Sequence, residues 1–296
     1  MKNYNYILGL GIIASSLFSC NSSNGKADGY GNFEATEITI SAENNGKLMQ
    51  LDLNEGDILQ KNKFIGYVDS IPLSLKREQL QVAKALINSK SKAVLSQINV
   101  LNAKLKTANT HKTRITNLIN DHAGTQKQLD DVQGEIDVIK QQINSVEIQN
   151  TSVLNELKNI DTQLKQVADQ IQKSKIINPV NGTVLTKYAE PNEITVFGKP
   201  LYKIADLTTM QLRVYVSETQ LASIKMGQEV TVKIDDKDTM KSFKGNISWI
   251  ASEAEFTPKI IQTKEERVAL VYAVKINVKN DGSLKIGMPA EMWIEK

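Results

Sequence analysis

The sequence predicts an α+β chain of several modules in an elongated arrangement: an antiparallel coiled-coil α-hairpin inserted in a split β domain, followed by a small β-barrel. Three observations carry this. Residues 40–69 and 176–205 repeat one another without gaps. The stretch between them, from Leu73 to about Ile176, has no proline, no Phe, Tyr or Trp and only two glycines, and its apolar residues recur in alternating steps of three and four. The remainder, 207–296, reads as short alternating strands. Only 5% of the 296 residues are aromatic, which suits long helices with modest β modules.

At the N-terminus, Lys2 precedes an apolar run from Ile7 to Leu17. That run is shorter than the roughly 20 residues a bilayer span needs and fits the apolar core of a secretory signal over 1–19. Leu17-Phe18-Ser19-Cys20 follows, and Cys20 is the only cysteine, so no internal disulfide can form. The four residues resemble a bacterial lipobox, which implies cleavage before Cys20 and its acylation. Residues 20–31, opening with Asn21-Ser22-Ser23-Asn24-Gly25, then form a polar tether, and 32–39 an early strand that joins the barrel.

Within the repeat, Gly46 matches Gly182, Leu48 matches Val184, Ile58 matches Ile194, Ile65 matches Leu201 and Val68 matches Ile204. Each copy opens on an Asn-Gly turn signal, Asn45-Gly46 and Asn181-Gly182, and has a second turn near Gly56 or Asn192. The copies, 40–70 and 177–206, are two β half-units too short to bury a face alone.

The insert, 71–176, has a coiled-coil seam in its second arm running Leu129, Val132, Ile136, Ile139, Ile143, Val146 and on to Ile171, apolar except at Asn150. The first arm supplies a matching stripe from Leu80 to Ile119, interrupted at Lys84, Ser91 and Lys112. Asn150 sets register. The tip lies near 120–126, where Gly124 is expected to supply the positive φ of a helix stop and Asp121 or Thr125 to cap the next helix. Arms of this length reach roughly 70 Å at about 1.5 Å per residue.

In the barrel region, 211–216, 229–234, 243–250 and 273–278 alternate as strands, and Ser217 with Gln220 forms a capping box for a short helix. No chemistry is legible. The two histidines, His111 and His122, are three helical turns apart, no phosphate-binding glycine loop occurs, and Asp130-Asp131 and Glu265-Glu266 read as solvated pairs. Balanced charge, 36 basic against 33 acidic residues, with no basic stripe, excludes a nucleic-acid partner. The expectation is a chain that is not an enzyme, with no cofactor and no metal.

The segments Asn178-Pro179-Val180-Asn181-Gly182-Thr183-Val184 and Phe197-Gly198-Lys199-Pro200-Leu201 resemble a biotinyl-lipoyl domain. In carriers of that kind a modified lysine sits on the turn joining the halves; here the insert replaces that turn, so no lysine holds the position. A split domain of this type around a coiled-coil hairpin resembles the HlyD-type membrane fusion proteins, periplasmic adaptors of tripartite efflux and secretion systems. That family has a tip motif of arginine, leucine and serine facing a TolC-like outer-membrane channel; Arg114, Leu118 and Thr125 stand at those spacings, followed by Leu129-Asp130-Asp131. Leu284-Lys285-Ile286-Gly287-Met288-Pro289-Ala290 resembles the family's barrel ending. The segment 256–267, with Phe256, Lys259, Gln262 and Arg267, resembles a loop of the ABC-exporter-associated branch and is expected to touch the transporter.

The resemblance implies an inner-membrane transporter, ABC-type favoured over RND-type, a TolC-like channel, self-association as a hexamer, and residence in the periplasm on the inner membrane through an N-terminal lipid. Two alternatives stand beside it. One is a coiled-coil scaffold or tethering lipoprotein without transport; the other is a carrier subunit of a biotin- or lipoate-dependent enzyme.

Overall fold

The computed structural model describes residues 26–237, 239–256 and 270–294. They form two compact units, one spanning Ile38–Ile204 and the other made of the chain before and after it.

The second of these is a closed barrel. Its strands are β1 (Gly29–Glu34), β10 (Thr209–Val216), β11 (Glu229–Asp236), β12 (Thr239–Ile250), β14 (Leu270–Lys279) and β15 (Pro289–Trp293). They pair antiparallel in the order β10-β1-β15-β11-β12-β14, and β14 returns to β10, so no open edge remains among the six. β13 (Glu255–Phe256) adds to β14 outside this ring. Alternation does the folding: Met210, Leu212, Val214 and Val216 point inward with Phe33, Val232, Ile276 and Met292, while their neighbours face water. β1 lies so close to β10 that a Cβ on Gly31 would fall 1.8 Å from the Arg213 carbonyl oxygen. A short helix α3 (Glu218–Leu221) opens with the expected box, Ser217 accepting from the Gln220 amide and Gln220 from that of Ser217.

In the other unit the repeat becomes a pair of interlocked sheets. β3 (Gly46–Leu51), β4 (Ile58–Leu59) and β5 (Phe64–Val68) match β7 (Gly182–Lys187), β8 (Ile194–Thr195) and β9 (Pro200–Ala205). β2 (Glu37–Ser41) likewise matches β6 (Lys175–Ile177). The sheets run β2-β9-β7-β4 and β6-β5-β3-β8, so each half lends its two-residue strand to the other half's sheet. Backbone bonds come in equivalent pairs: Gly56 N to Val184 O at 2.9 Å mirrors Asn192 N to Leu48 O at 2.7 Å. Left-handed residues also coincide, Gly56 with Asn192 and Asn62 with Gly198, a glycine facing an asparagine each time.

Three expectations are corrected. The single early strand over 32–39 is two: residues 29–34 enter the barrel and residues 37–41 pair with β9. The Asn-Gly pairs, read as turn signals, lead straight into β3 and β7 without a hydrogen-bonded turn of their own. The Asn45 and Asn181 side chains instead accept the backbone N–H of Phe197 and Lys61, each at 2.7 Å, stapling one half to the other. At the tip the left-handed residue is His122 (φ 56°), not Gly124.

Between the neighbouring antiparallel strands β5 and β6 stands the hairpin, α1 (Ile71–Asn120) and α2 (Gln126–Lys173). Asp69 Oδ1 accepts the Ile71 amide and Pro72 fits the first turn, where no N–H partner is required. At the far end of α2, Asn44 donates to the Gln170 carbonyl and to the buried Ser174 hydroxyl, fixing the hairpin base to the β domain. The seam is apolar at Leu80, Ile87, Val94, Leu101, Ala108 and Ile115 against Val132, Ile136, Ile139, Val146, Val153 and Val167. Each polar interruption of α1 meets a polar partner: Lys84 the carboxylate of Asp161 at 2.7 Å, Ser91 the amide oxygen of Asn150 at 3.4 Å, Lys112 that of Gln133 at 2.7 Å. A slip of one heptad would separate all three pairs, which is how they specify register. Lys84→Leu should therefore leave Asp161 unpaired beside the seam and lower hairpin stability by about 1 kcal/mol, while Lys84→Leu with Asp161→Leu recovers it. Thermal melts followed by circular dichroism read both.

Candidate functional site

The tip is built by two helix-end devices meeting across a five-residue turn. α1 stops in a Schellman arrangement: the Ala123 amide donates to the Leu118 carbonyl at 2.7 Å and the His122 amide to that of Ile119 at 3.0 Å. Gly124 follows because a Cβ there would lie 3.0 Å from Ile119 Cγ1 and 3.1 Å from the Ile119 nitrogen. α2 starts in a capping box, Thr125 Oγ1 accepting from the Gln128 amide at 3.4 Å and Gln128 Oε1 from the Thr125 amide at 2.9 Å. The backbone at the tip is thus held by its own hydrogen bonds before any partner arrives.

Ile115, Val132 and Ile136 are buried beneath this turn with Ile119 and Leu129 against them, which turns the residues beside them outward. Arg114 and Leu118, four apart, share a face of α1. Arg114 is exposed with no hydrogen-bond or ion-pair partner among the described residues, and Leu118 leaves 42% of its surface in water. Thr125, across the turn, uses an oxygen lone pair for the cap and keeps its own O–H to donate. The end of the hairpin therefore offers an unpaired fork of donors, an apolar side chain and a hydroxyl. Thr125→Ala should lose the cap, costing about 1 kcal/mol, whereas Thr125→Ser keeps it; urea unfolding with helix signal as readout separates them.

The transporter-contact residues are mostly beyond view: Lys259, Gln262 and Arg267, like Cys20, lie outside the described residues. Phe256 is exposed on β13 opposite Leu270. Its neighbour Glu255 receives Arg213 Nη2 on both carboxylate oxygens, at 2.8 and 2.9 Å, anchoring the start of that segment to β10. What the sequence reading missed is this anchor, whose partners are 42 residues apart and carry no motif.

No group of three or more His, Cys, Asp or Glu among the described residues could hold a metal ion, and no described helix is long and apolar enough to cross a membrane. Burial raises the Tyr202 phenol well above its ordinary value, so it stays a neutral donor to Asn178 Oδ1 at 3.0 Å, a structural role.

A duplicated β domain, a coiled-coil hairpin inserted in it and a six-stranded barrel make up a fold shared with solved structures. The chain superposes on MacA from Actinobacillus actinomycetemcomitans with a TM-score of 0.60 at 20% identity, covering 89% of this chain and 76% of that one. A membrane fusion protein from Streptococcus pneumoniae R6 gives 0.55 at 17% identity, covering 90% and 99%. Among curated relatives, the UPF0194 membrane protein YE2891 of Yersinia enterocolitica is 26% identical over 88% of this chain and 87% of its own length. The UPF0194 membrane protein YbhG of Salmonella arizonae is 25% identical over 88% and 86%. No protein-family model matches the chain.

Proposed function

We propose that the chain is an HlyD-type periplasmic adaptor that links an inner-membrane exporter, ABC-type before RND-type, to a TolC-like outer-membrane channel. The observation that carries this reading is the hairpin: two helices of 50 and 48 residues end in a self-capped turn that leaves Arg114 without a hydrogen-bond or ion-pair partner among the described residues and Leu118 exposed beside it. A spacer of that kind has one functional end. The β pair at its base is a split biotinyl-lipoyl-like domain, in which the insert between β5 and β6 takes the place of the modifiable turn, and the chain works without a cofactor or catalysis. Cys20 carries the lipid that holds the protein on the periplasmic face of the inner membrane, and copies assemble side by side, as a hexamer in the family's manner. Phe256, Lys259, Gln262 and Arg267 form the transporter contact. The energy for export comes from the partner.

Cross-linking in cells from a photoreactive residue at position 118 tests the assignment. Capture of an outer-membrane channel is expected. Recovery of none, together with unimpaired export, would return the chain to the scaffold reading.

A further inference from the structure

Strand direction gives the barrel two ends. Because every pairing in the ring is antiparallel, β1, β11 and β14 start at the end where β10, β12 and β15 finish. Exposed large apolar side chains gather there. Tyr30 stands on β1, Met226 in the turn before β11, Trp249 near the finish of β12, Phe256 on β13 and Leu270 at the start of β14, each between 41% and 78% exposed. The other end shows only Met240 and Ile286 among the described residues. Five side chains from five separate elements thus make one apolar end, a concentration that marks a contact surface.

Trp249 owes its position to a bulge. Phe243, Gly245 and Ile247 turn toward the core, so strict alternation would send residue 249 inward as well. A register shift between Ile247 and Trp249 adds one residue to β12. Ile250 then takes the inward place opposite Val274, and the indole stands outside opposite Lys275, whose ammonium lies 5.6 Å from the ring centroid. The bulge keeps the largest ring of the strand out of the core and aims it away from the chain.

We infer that this end of the barrel lies on a phospholipid bilayer, with these side chains at the level of the headgroups. The inference rests on the adaptor reading, in which Cys20 carries a lipid. Nine residues lead from Cys20 to Gly29, where β1 begins, and they span at most about 30 Å. The anchor therefore holds the apolar end, and not the opposite one, within that distance of the membrane surface. Tyr and Trp suit this boundary because each joins an apolar ring to a polar atom, and Lys275 beside Trp249 can extend to a phosphate. Glu229 and Glu255, at the same end, are ion-paired with Lys244 and Arg213, so apolar contact and not a surplus of charge leads the binding. A lipid on a tether limits distance alone; the apolar end adds a second contact, which sets the orientation of the barrel.

The test uses the chain from residue 20 onward with Cys20→Ser, so that neither the signal nor an acyl chain contributes, and vesicles of phosphatidylethanolamine and phosphatidylglycerol. Co-sedimentation should show binding at about 0.05 M salt that persists at about 0.5 M. Trp249→Ser with Met226→Ser and Leu270→Ser should weaken it by about tenfold or more. Met240→Ser with Ile286→Ser, at the other end, should bind like the parent, and circular dichroism should match throughout. Trp293→Phe leaves Trp249 as the one indole, and brominated lipid should quench its emission without any change to the apolar end. The inference is overturned if the parent stays in the supernatant, if binding vanishes at the higher salt, if the triple variant binds like the parent, or if Trp249 is not quenched. Lost export in the triple variant, with no vesicle binding by the parent, would assign the end to a protein partner and overturn it too. The position-118 cross-link is scored separately: channel capture without vesicle binding sinks the bilayer contact and leaves the adaptor reading, and vesicle binding without channel capture does the reverse.

Discussion

Leu118→Asp combined with Arg114→Glu is expected to abolish export while leaving the protein folded. Arg114 is exposed, and Leu118 flanks the buried seam with 42% of its surface in water, so the change in stability should stay within about 1 kcal/mol. At the contact, an apolar anchor becomes a carboxylate that must be desolvated, and a guanidinium that would pair with acceptors becomes a repelling charge. Losses at such central anchors run to about 2 kcal/mol or more each, enough to lower occupancy of the assembled complex at least about thirtyfold. Accumulation of an exported dye in cells carrying the variant, against an unchanged melting profile of the purified chain, is the measurement. Normal export with a normal melting profile would remove the tip from the mechanism.

The second large effect concerns the β domain. Asn178→Ala should destabilise it by about 3 kcal/mol, because the side chain serves several buried groups at once. Its amide donates to the Gln60 carbonyl at 2.9 Å and to that of Val180, and its oxygen accepts the Tyr202 phenol. Removing it orphans the phenol in a site with no access to water. Adding Tyr202→Phe to Asn178→Ala should then cost far less than Tyr202→Phe does in the parent, since the hydroxyl no longer has a partner to lose. Chemical denaturation of the four chains of this cycle reads the coupling; strict additivity would show that the bond contributes nothing.

Asn178 and Tyr202 also show what in the fold was legible. Their counterparts in the first half are Ala42 and Gly66, so the halves share a backbone but fill the space beneath it differently. Gly66 has no alternative, since a Cβ there would lie 2.1 Å from the Gln50 carbonyl oxygen. The repeat was readable because strand exchange demands matching apolar residues at Leu48 and Val184 and at Ile65 and Leu201. This second pairing was not, because it depends on a contact between residues 24 apart whose types occur anywhere. The hairpin seam was readable for the same reason as the repeat: period.

Elsewhere local signals misled. Gly124 looks like a helix stop, but the Schellman bonds place the left-handed residue two positions earlier, at His122, and use the glycine for close approach to Ile119. The run after Asn32 alternates as one strand, yet the break at Ala35-Thr36 sends its halves to different sheets, a choice made by partners far along the chain. At the tip, Arg114, Leu118 and Thr125 were legible through the motif of the family they resemble, since three residues at such a spacing single out nothing by themselves.

The place where the hairpin leaves the β domain has a consequence for how such chains change over time. β5 and β6 are already zipped to one another at Tyr67 and Lys175 before the helices begin. The domain therefore closes whatever lies beyond that point, and the arms are a free dimension. Insertion or deletion of one heptad in each arm, at matched heights, would move the tip by about 10 Å without altering a single buried contact below. The length of the hairpin can thus drift in steps of seven residues, independently of the fold that supports it.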